Sequence, residues 1–342
     1  MQKRPALLLA TIISAIFFIW QGQTNNEPEN KSSSTPTQDG EIAYYELTIP
    51  YLRERQFESE LHELSEYSSG SNYNSFLTSY DSDGLKIEGL LTIPKMDPPA
   101  GGWPAIVFVH GYIAPSTYKT TEKYVEYVDY LAKNGFVVFK IDLRGHGMSE
   151  GDPGGAYYSS DYVIDTLSAR KALQNADFVN PERVGLWGHS MAGNVTFRAF
   201  VTASDIPALV VWAGAGYSYL DLATYGLNDN SYRAPSRSLP RRTGSLIRET
   251  YGEYSSQSKF WQMISPMNYL ENIKGAIELH HAIDDTVVNI GYSRDLMRAL
   301  DSTSIPHQLF EYEQGGHNLS GDSFYQAMQR TVEFYKKTLS LE

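Results

Sequence analysis

Through the middle and C-terminal parts of the chain, short unbroken apolar runs alternate with longer segments of mixed character. The runs are residues 105–109, 136–141, 184–187, 208–212 and 276–279. They are apolar at nearly every position instead of every second one, the pattern of strands buried on both faces. The intervening segments, such as 121–134 and 161–174, are long enough for crossover helices. This alternation predicts an α/β fold, with a mostly parallel central sheet and helices on both faces. Residues 85–93 read as an earlier strand that ends at Pro94, and 308–312 as the last one. Pro98, Pro99, Gly101, Gly102 and Pro104 form a turn-rich break. A leader spans 41–80. Within it, 42–49 alternates loosely like a strand, and 52–64 carries Phe57, Leu61 and Leu64 at helical spacing. One segment, 216–263, breaks the rhythm. It is rich in Tyr, Arg, Ser and Pro, and is read as a small cap inserted between two core strands.

The N-terminus follows a different pattern. Lys3 and Arg4 precede an apolar run over 5–20, and a polar stretch follows. A sixteen-residue helix reaches about 24 Å, short of the roughly 30 Å hydrocarbon core. Residues 1–22 are therefore read as a signal peptide, or as an uncleaved membrane anchor because bulky Ile19 and Trp20 make a poor cleavage site. Residues 23–40 read as a flexible polar tether, and 41–342 as one domain. Either outcome predicts an exported protein: extracellular, periplasmic, or held on the outer side of the cytoplasmic membrane. The membrane is then a partner only through this segment.

With 342 residues, 42% of them apolar, the chain is long enough for one large core. A net charge of -12 gives no general attraction to nucleic acid. With no cysteine in the chain, thiol nucleophiles, thiolate metal sites and disulfides are excluded.

The sharpest chemical signal is Gly188-His189-Ser190-Met191-Ala192-Gly193, which directly follows the run at 184–187 and precedes a helix-like stretch. A serine on a tight strand-to-helix turn is a nucleophile elbow, flanked by small residues because strand and helix come close. A serine hydroxyl needs a base, and the base an orienting carboxylate, in the chain order Ser, acid, His. His317, in Gly315-Gly316-His317 after the last strand, is the expected base. Two aspartates compete for the acid, Asp284 and Asp285. Asp285 needs the smaller change from the pattern H-G-x-x-D-x-x-V-P, and the other aspartate then shapes the turn. The oxyanion donors are assigned to the backbone N–H groups of Met191 and of Tyr112, in the loop after 105–109. The turn at 142–147 borders the site as structure. His146, His189, His280 and His281 lack metal-ligand spacing, and elbow chemistry needs neither metal nor cofactor. Arg233, Arg237, Arg241, Arg242 and Arg248 give the cap a basic stretch, read as a solvated face or as an attractor of carboxylate-bearing substrates.

Together the elbow, the His110-Gly111 loop, the 142–147 turn, the Asp285 region and His317 resemble the catalytic domain of the prolyl oligopeptidase family. They are similar also to the dienelactone hydrolase-like and acetyl esterase-like branches of the α/β-hydrolase fold. The resemblance covers roughly 82–337. It implies a serine hydrolase that cleaves peptide or carboxylic ester bonds of small substrates through an acyl-enzyme. The chain departs from the family at Ala192, at the missing Pro after Val288, and in the shortness of its leader, which leaves no room for a β-propeller. The alternatives are a carboxylesterase or deacetylase without peptidase activity, and a non-catalytic binding module on the same fold.

Overall fold

Residues 42–227 and 239–339 are described by the computed structural model of the chain. The predicted export segment and tether lie outside the described residues, as do Arg233 and Arg237. Tyr44–Glu342 makes one compact unit; of the other, Met1–Ala43, only 42 and 43 are described.

The strands are β1 (Ser65–Ser69), β2 (Tyr73–Ser82), β3 (Leu85–Pro94), β4 (Trp103–Val109), β5 (Val137–Ile141), β6 (Val179–His189), β7 (Ala208–Trp212), β8 (Ala276–Ala282) and β9 (His307–Tyr312). They form one sheet in the order β1-β2-β3-β5-β4-β6-β7-β8-β9. The pairs among β1, β2, β3 and β5 are antiparallel, and from β5 to β9 every neighbour is parallel.

The helices are α1 (Ile49–Glu54), α2 (Val125–Lys133), α3 (Asp161–Gln174), α4 (Ala192–Thr202), α5 (Tyr219–Tyr225), α6 (Leu239–Tyr251), α7 (Lys259–Ile264), α8 (Gly291–Leu300) and α9 (Asp322–Thr338). Side chains of α1, α3, α4 and α8 join one core, and those of α2 and α9 join a second on the opposite face. Alternate residues of each parallel strand feed the two cores. In β4, Ala105, Val107 and Val109 enter the first while Ile106 and Phe108 enter the second. That double burial explains why the run is apolar throughout. Phe108 stacks on Trp187 of β6, ring centroids 4.0 Å apart.

The leader differs from its sequence reading. Residues 42–49 form no strand: Tyr44 has φ 60°, a 3-10 turn follows at Tyr45–Leu47, and Thr48 caps α1 by accepting from the Tyr51 N–H at 3.2 Å. The helix predicted over 52–64 stops at Glu54. Phe57, Leu61 and Leu64 pack on the core from non-helical backbone, and Leu61 bridges Tyr80. Tertiary contact overrides the local spacing there. β1 escaped the sequence reading because all five of its residues are exposed, and β2 because its buried positions are hydroxyl-bearing. Tyr80 Oη donates to the Asp165 carbonyl at 2.9 Å, and Ser82 Oγ to the Asp165 carboxylate at 2.7 Å. Asp165 also anchors Arg144, whose Nη2 lies 2.7 Å from it with both groups buried.

The described residues of 216–263 include α5, α6 and most of α7, with non-helical turns between them such as 252–258. Arg248 lies against the Tyr158 ring and 3.9 Å from Glu253, while Arg242 is exposed. No helix among the described residues is long and apolar enough to cross a membrane.

Candidate active site

Ser190 stands between the end of β6 and the start of α4, with φ 57°, a left-handed conformation uncommon outside glycine. Such strain is held by the surroundings. The Ser190 N–H donates to the Trp212 carbonyl at 3.0 Å, and the Ser190 carbonyl accepts from Gly193 at 2.8 Å and Ala215 at 3.2 Å. Packing explains the small flanking residues. A Cβ at Gly188 would lie 2.8 Å from Thr196 Oγ1, and one at Gly193 2.8 Å from the Gly214 Cα. Ala192 fits with its methyl fully buried.

The loop after β9 brings His317 over the elbow. Its Nε2 lies 2.9 Å from Ser190 Oγ, and its Nδ1 2.8 Å from Asp285 Oδ2. The Asp285 carboxylate is buried and accepts from the backbone N–H groups of Val287 at 2.8 Å and Val288 at 3.0 Å. His281 Nε2 stands 3.3 Å from the same Oδ2 and 3.0 Å from the Val288 carbonyl. Both neighbours accept, so this nitrogen carries the proton. Burial alone would raise the Asp285 carboxyl; the hydrogen bonds from His281 and His317 overcome that and hold it well below the usual carboxylate range. Asp284 points elsewhere and accepts from the N–H of Gly316 at 2.8 Å. The structure therefore brings together Ser190, His317 and Asp285, and gives Asp284 to the turn that carries His317.

The loop after β4 borders the same place. Ser190, His317 and Tyr112 line one cleft of about 830 Å³, open to solvent. Its walls are mostly aromatic and aliphatic: Tyr124 and Tyr127 from the start of α2, Phe324 and Tyr325 from α9, and Val287. The charged residues at the mouth, Lys123 and Glu126, are opposite in sign. Met191 caps the start of α4, the end whose N–H groups have no intrahelical acceptor. No described residue of 216–263 lines this cleft.

The other histidines have structural partners. His110 and His146 hold the loop and the 142–147 turn together through the carbonyls of Asp142 at 3.3 Å and Ile113 at 3.2 Å. His280 lies between Tyr312 Oη and Glu278, both at 2.9 Å. Two residues that sequence reasoning left without a role touch the site. His281 supports Asp285, and Tyr124 meets His189, Nδ1 to Oη 2.7 Å. The only local signal for His281 was its place in the acid motif; Tyr124 had none.

The family described as "Serine aminopeptidase, S33" matches residues 104–235, which include the elbow and the His110-Gly111 loop. A thiohydrolase, aneE, of Aspergillus aculeatus is 33% identical over 118 residues, 34% of this chain and 34% of that protein. This chain thus spans about a third of that relative's length. The structure of a Mycobacterium tuberculosis puromycin-hydrolyzing peptidase is similar with a TM-score of 0.62 and 19% identity, over 80% of this chain and 41% of that one. Acetyl xylan esterase 1 from Thermoanaerobacterium is similar with a TM-score of 0.56 and 19% identity, over 84% and 91%. Sheet order and these likenesses show the fold, that of the α/β-hydrolases. The serine aminopeptidase match covers residues 104–235, less than half of the chain, and the similar solved structures include both a peptidase and an esterase.

Proposed function

We propose that this chain hydrolyses small, uncharged carboxylic esters or short peptides through an acyl-enzyme. One observation carries the reading: Ser190 Oγ, His317 and Asp285 are linked by hydrogen bonds of 2.9 and 2.8 Å at the wall of an aromatic cleft. Ser190 attacks the carbonyl while His317 takes its proton, and Asp285 holds the imidazole tautomer and stabilises the imidazolium. The Met191 and Tyr112 N–H groups receive the oxyanion. His317 then protonates the leaving group, and water releases the acyl chain with His317 again as base. The apolar walls, with mouth charges of opposite sign, favour an uncharged substrate over a carboxylate-bearing one. The N-terminal charged and apolar segment supports export, with the catalytic domain outside the cytoplasmic membrane.

The test compares matched short-chain p-nitrophenyl esters with aminoacyl and Xaa-Pro p-nitroanilides, using Ser190→Ala as the blank. Turnover of either series that disappears in the blank supports the reading. Turnover of esters alone assigns a carboxylesterase. Activity retained in Ser190→Ala overturns the mechanism. Fractionation of cells expressing the full chain tests export; recovery wholly in the cytoplasm would sink it.

A further inference from the structure

We propose that Tyr124 and His189 are positioning residues that lock the oxyanion loop and the His317 loop into one register. The inference rests on the serine hydrolase reading above.

Four groups form a single hydrogen-bonded line. The Gly111 N–H donates to Tyr124 Oη at 2.9 Å, Tyr124 Oη meets His189 Nδ1 at 2.7 Å, and His189 Nε2 meets the His317 carbonyl at 2.9 Å. Hydrogen inventory fixes the direction. Tyr124 Oη receives the Gly111 hydrogen, so it donates its own to His189 Nδ1. That nitrogen therefore accepts, and the imidazole proton sits on Nε2, where the His317 carbonyl takes it. Every donor and acceptor on the line is used once, with no conflict. The line starts one residue before Tyr112 and ends on the backbone of the proposed base. It thus spans the two loops whose separation sets the oxyanion site against the imidazole.

Three further features agree. Tyr124 has φ 59° at the cap of α2 yet makes no side-chain cap bond, so a left-handed backbone is held while its hydroxyl serves elsewhere. Gly111 is required by the line itself: a Cβ there would lie 2.8 Å from Tyr124 Oη and 3.0 Å from His189 Nδ1. His189 is also kept neutral. Burial pushes its imidazole down to about 3, and the neighbouring His317, with ring centroids 4.8 Å apart, acts in the same sense. A charged His189 would oppose the imidazolium that forms on His317 during acylation.

The experiment measures kcat and KM on p-nitrophenyl butyrate for Tyr124→Phe, His189→Gln and the double variant, at a temperature well below each thermal midpoint. Tyr124→Phe keeps the ring in the cleft wall and removes only the hydroxyl. His189→Gln keeps a donor near the His317 carbonyl and breaks the Tyr124 link. Each single change is expected to lower kcat about tenfold with KM within about twofold, the loss of an interaction used in the transition state. The double variant is expected to fall no further than about the worse single, because one line is broken only once. Unchanged kcat in folded Tyr124→Phe would overturn the proposal. So would a rise in KM alone, which makes Tyr124 merely a wall, or single losses that multiply to about a hundredfold, which makes the two residues independent. Activity retained by Ser190→Ala removes the parent reading instead, so the two failures are distinguishable.

Discussion

His317 Nδ1 lies 2.8 Å from Asp285 Oδ2, while the preceding residue, Asp284, binds the backbone of the loop that carries His317. Adjacent carboxylates thus hold the same imidazole in different ways, one through its ring and one through its chain. Asp285→Asn is expected to lower kcat by about 10³–10⁴, because an amide no longer fixes the tautomer or stabilises the imidazolium. Asp284→Asn keeps an acceptor for Gly316 and is expected to cost less than about tenfold. Steady-state kinetics on the two variants decides the assignment; the reverse order of losses would give the role to Asp284.

Removing the proposed nucleophile should be harsher. Ser190→Ala is expected to lower kcat by about 10⁴ or more and to abolish labelling by a serine-directed fluorophosphonate. The fold should survive, since the change deletes one partly exposed hydroxyl. Labelling that persists in this variant would place the reactive serine elsewhere.

Acid should weaken the fold. Burial pushes the imidazoles of His110 and His189 down to about 3, and lowers those of His146 and His280. Below the ordinary imidazole value of 6.5 the unfolded chain binds protons that the folded chain refuses, so stability falls as pH falls. Asp142, pushed up to about 6 by burial, and Asp165, also raised, pull the other way, but the imidazoles outnumber them. Asp285 adds to the loss at lower pH: its depressed carboxyl stabilises the fold above the ordinary value of 3.8, and that contribution disappears as pH drops through the folded value. The expected net loss between pH 7 and pH 4.5 is at least about 1.4 kcal/mol. Urea midpoints at the two pH values measure it, and an equal or higher midpoint at pH 4.5 refutes it.

Arg144 anchors the turn beside the site. Arg144→Ala leaves the buried Asp165 carboxylate without its cation, which costs about 3–5 kcal/mol. A fall in thermal midpoint on the order of 10 °C is expected. A shift under about 2 °C would show that Ser82 and the Arg144 backbone N–H suffice for Asp165.

The sequence by itself determined the parallel half of the sheet, because strands buried on both faces leave unbroken apolar runs such as 105–109 and 208–212, a purely local signature. It also placed the elbow at Ser190, since the glycines that admit the close strand-to-helix turn sit within a few positions of it. Of the antiparallel half only β3 was legible, read as 85–93; β1 and β2 were not. Tyr80 and Ser82 of β2 are buried through a partner of their hydroxyls, Asp165, that lies far away in the chain, and no periodicity announces such burial. The sequence favoured Asp285 over Asp284 from the acid motif alone; the contact of Asp285 with His317 arises because β8 and β9 pair in parallel and set their loops side by side. Ser190 and His317 stand 127 positions apart, Tyr124 and His189 65 apart. Such encounters follow from strand order and loop closure, which are global properties of the fold. Residue types and spacing named the candidates; tertiary structure decided which of them touch.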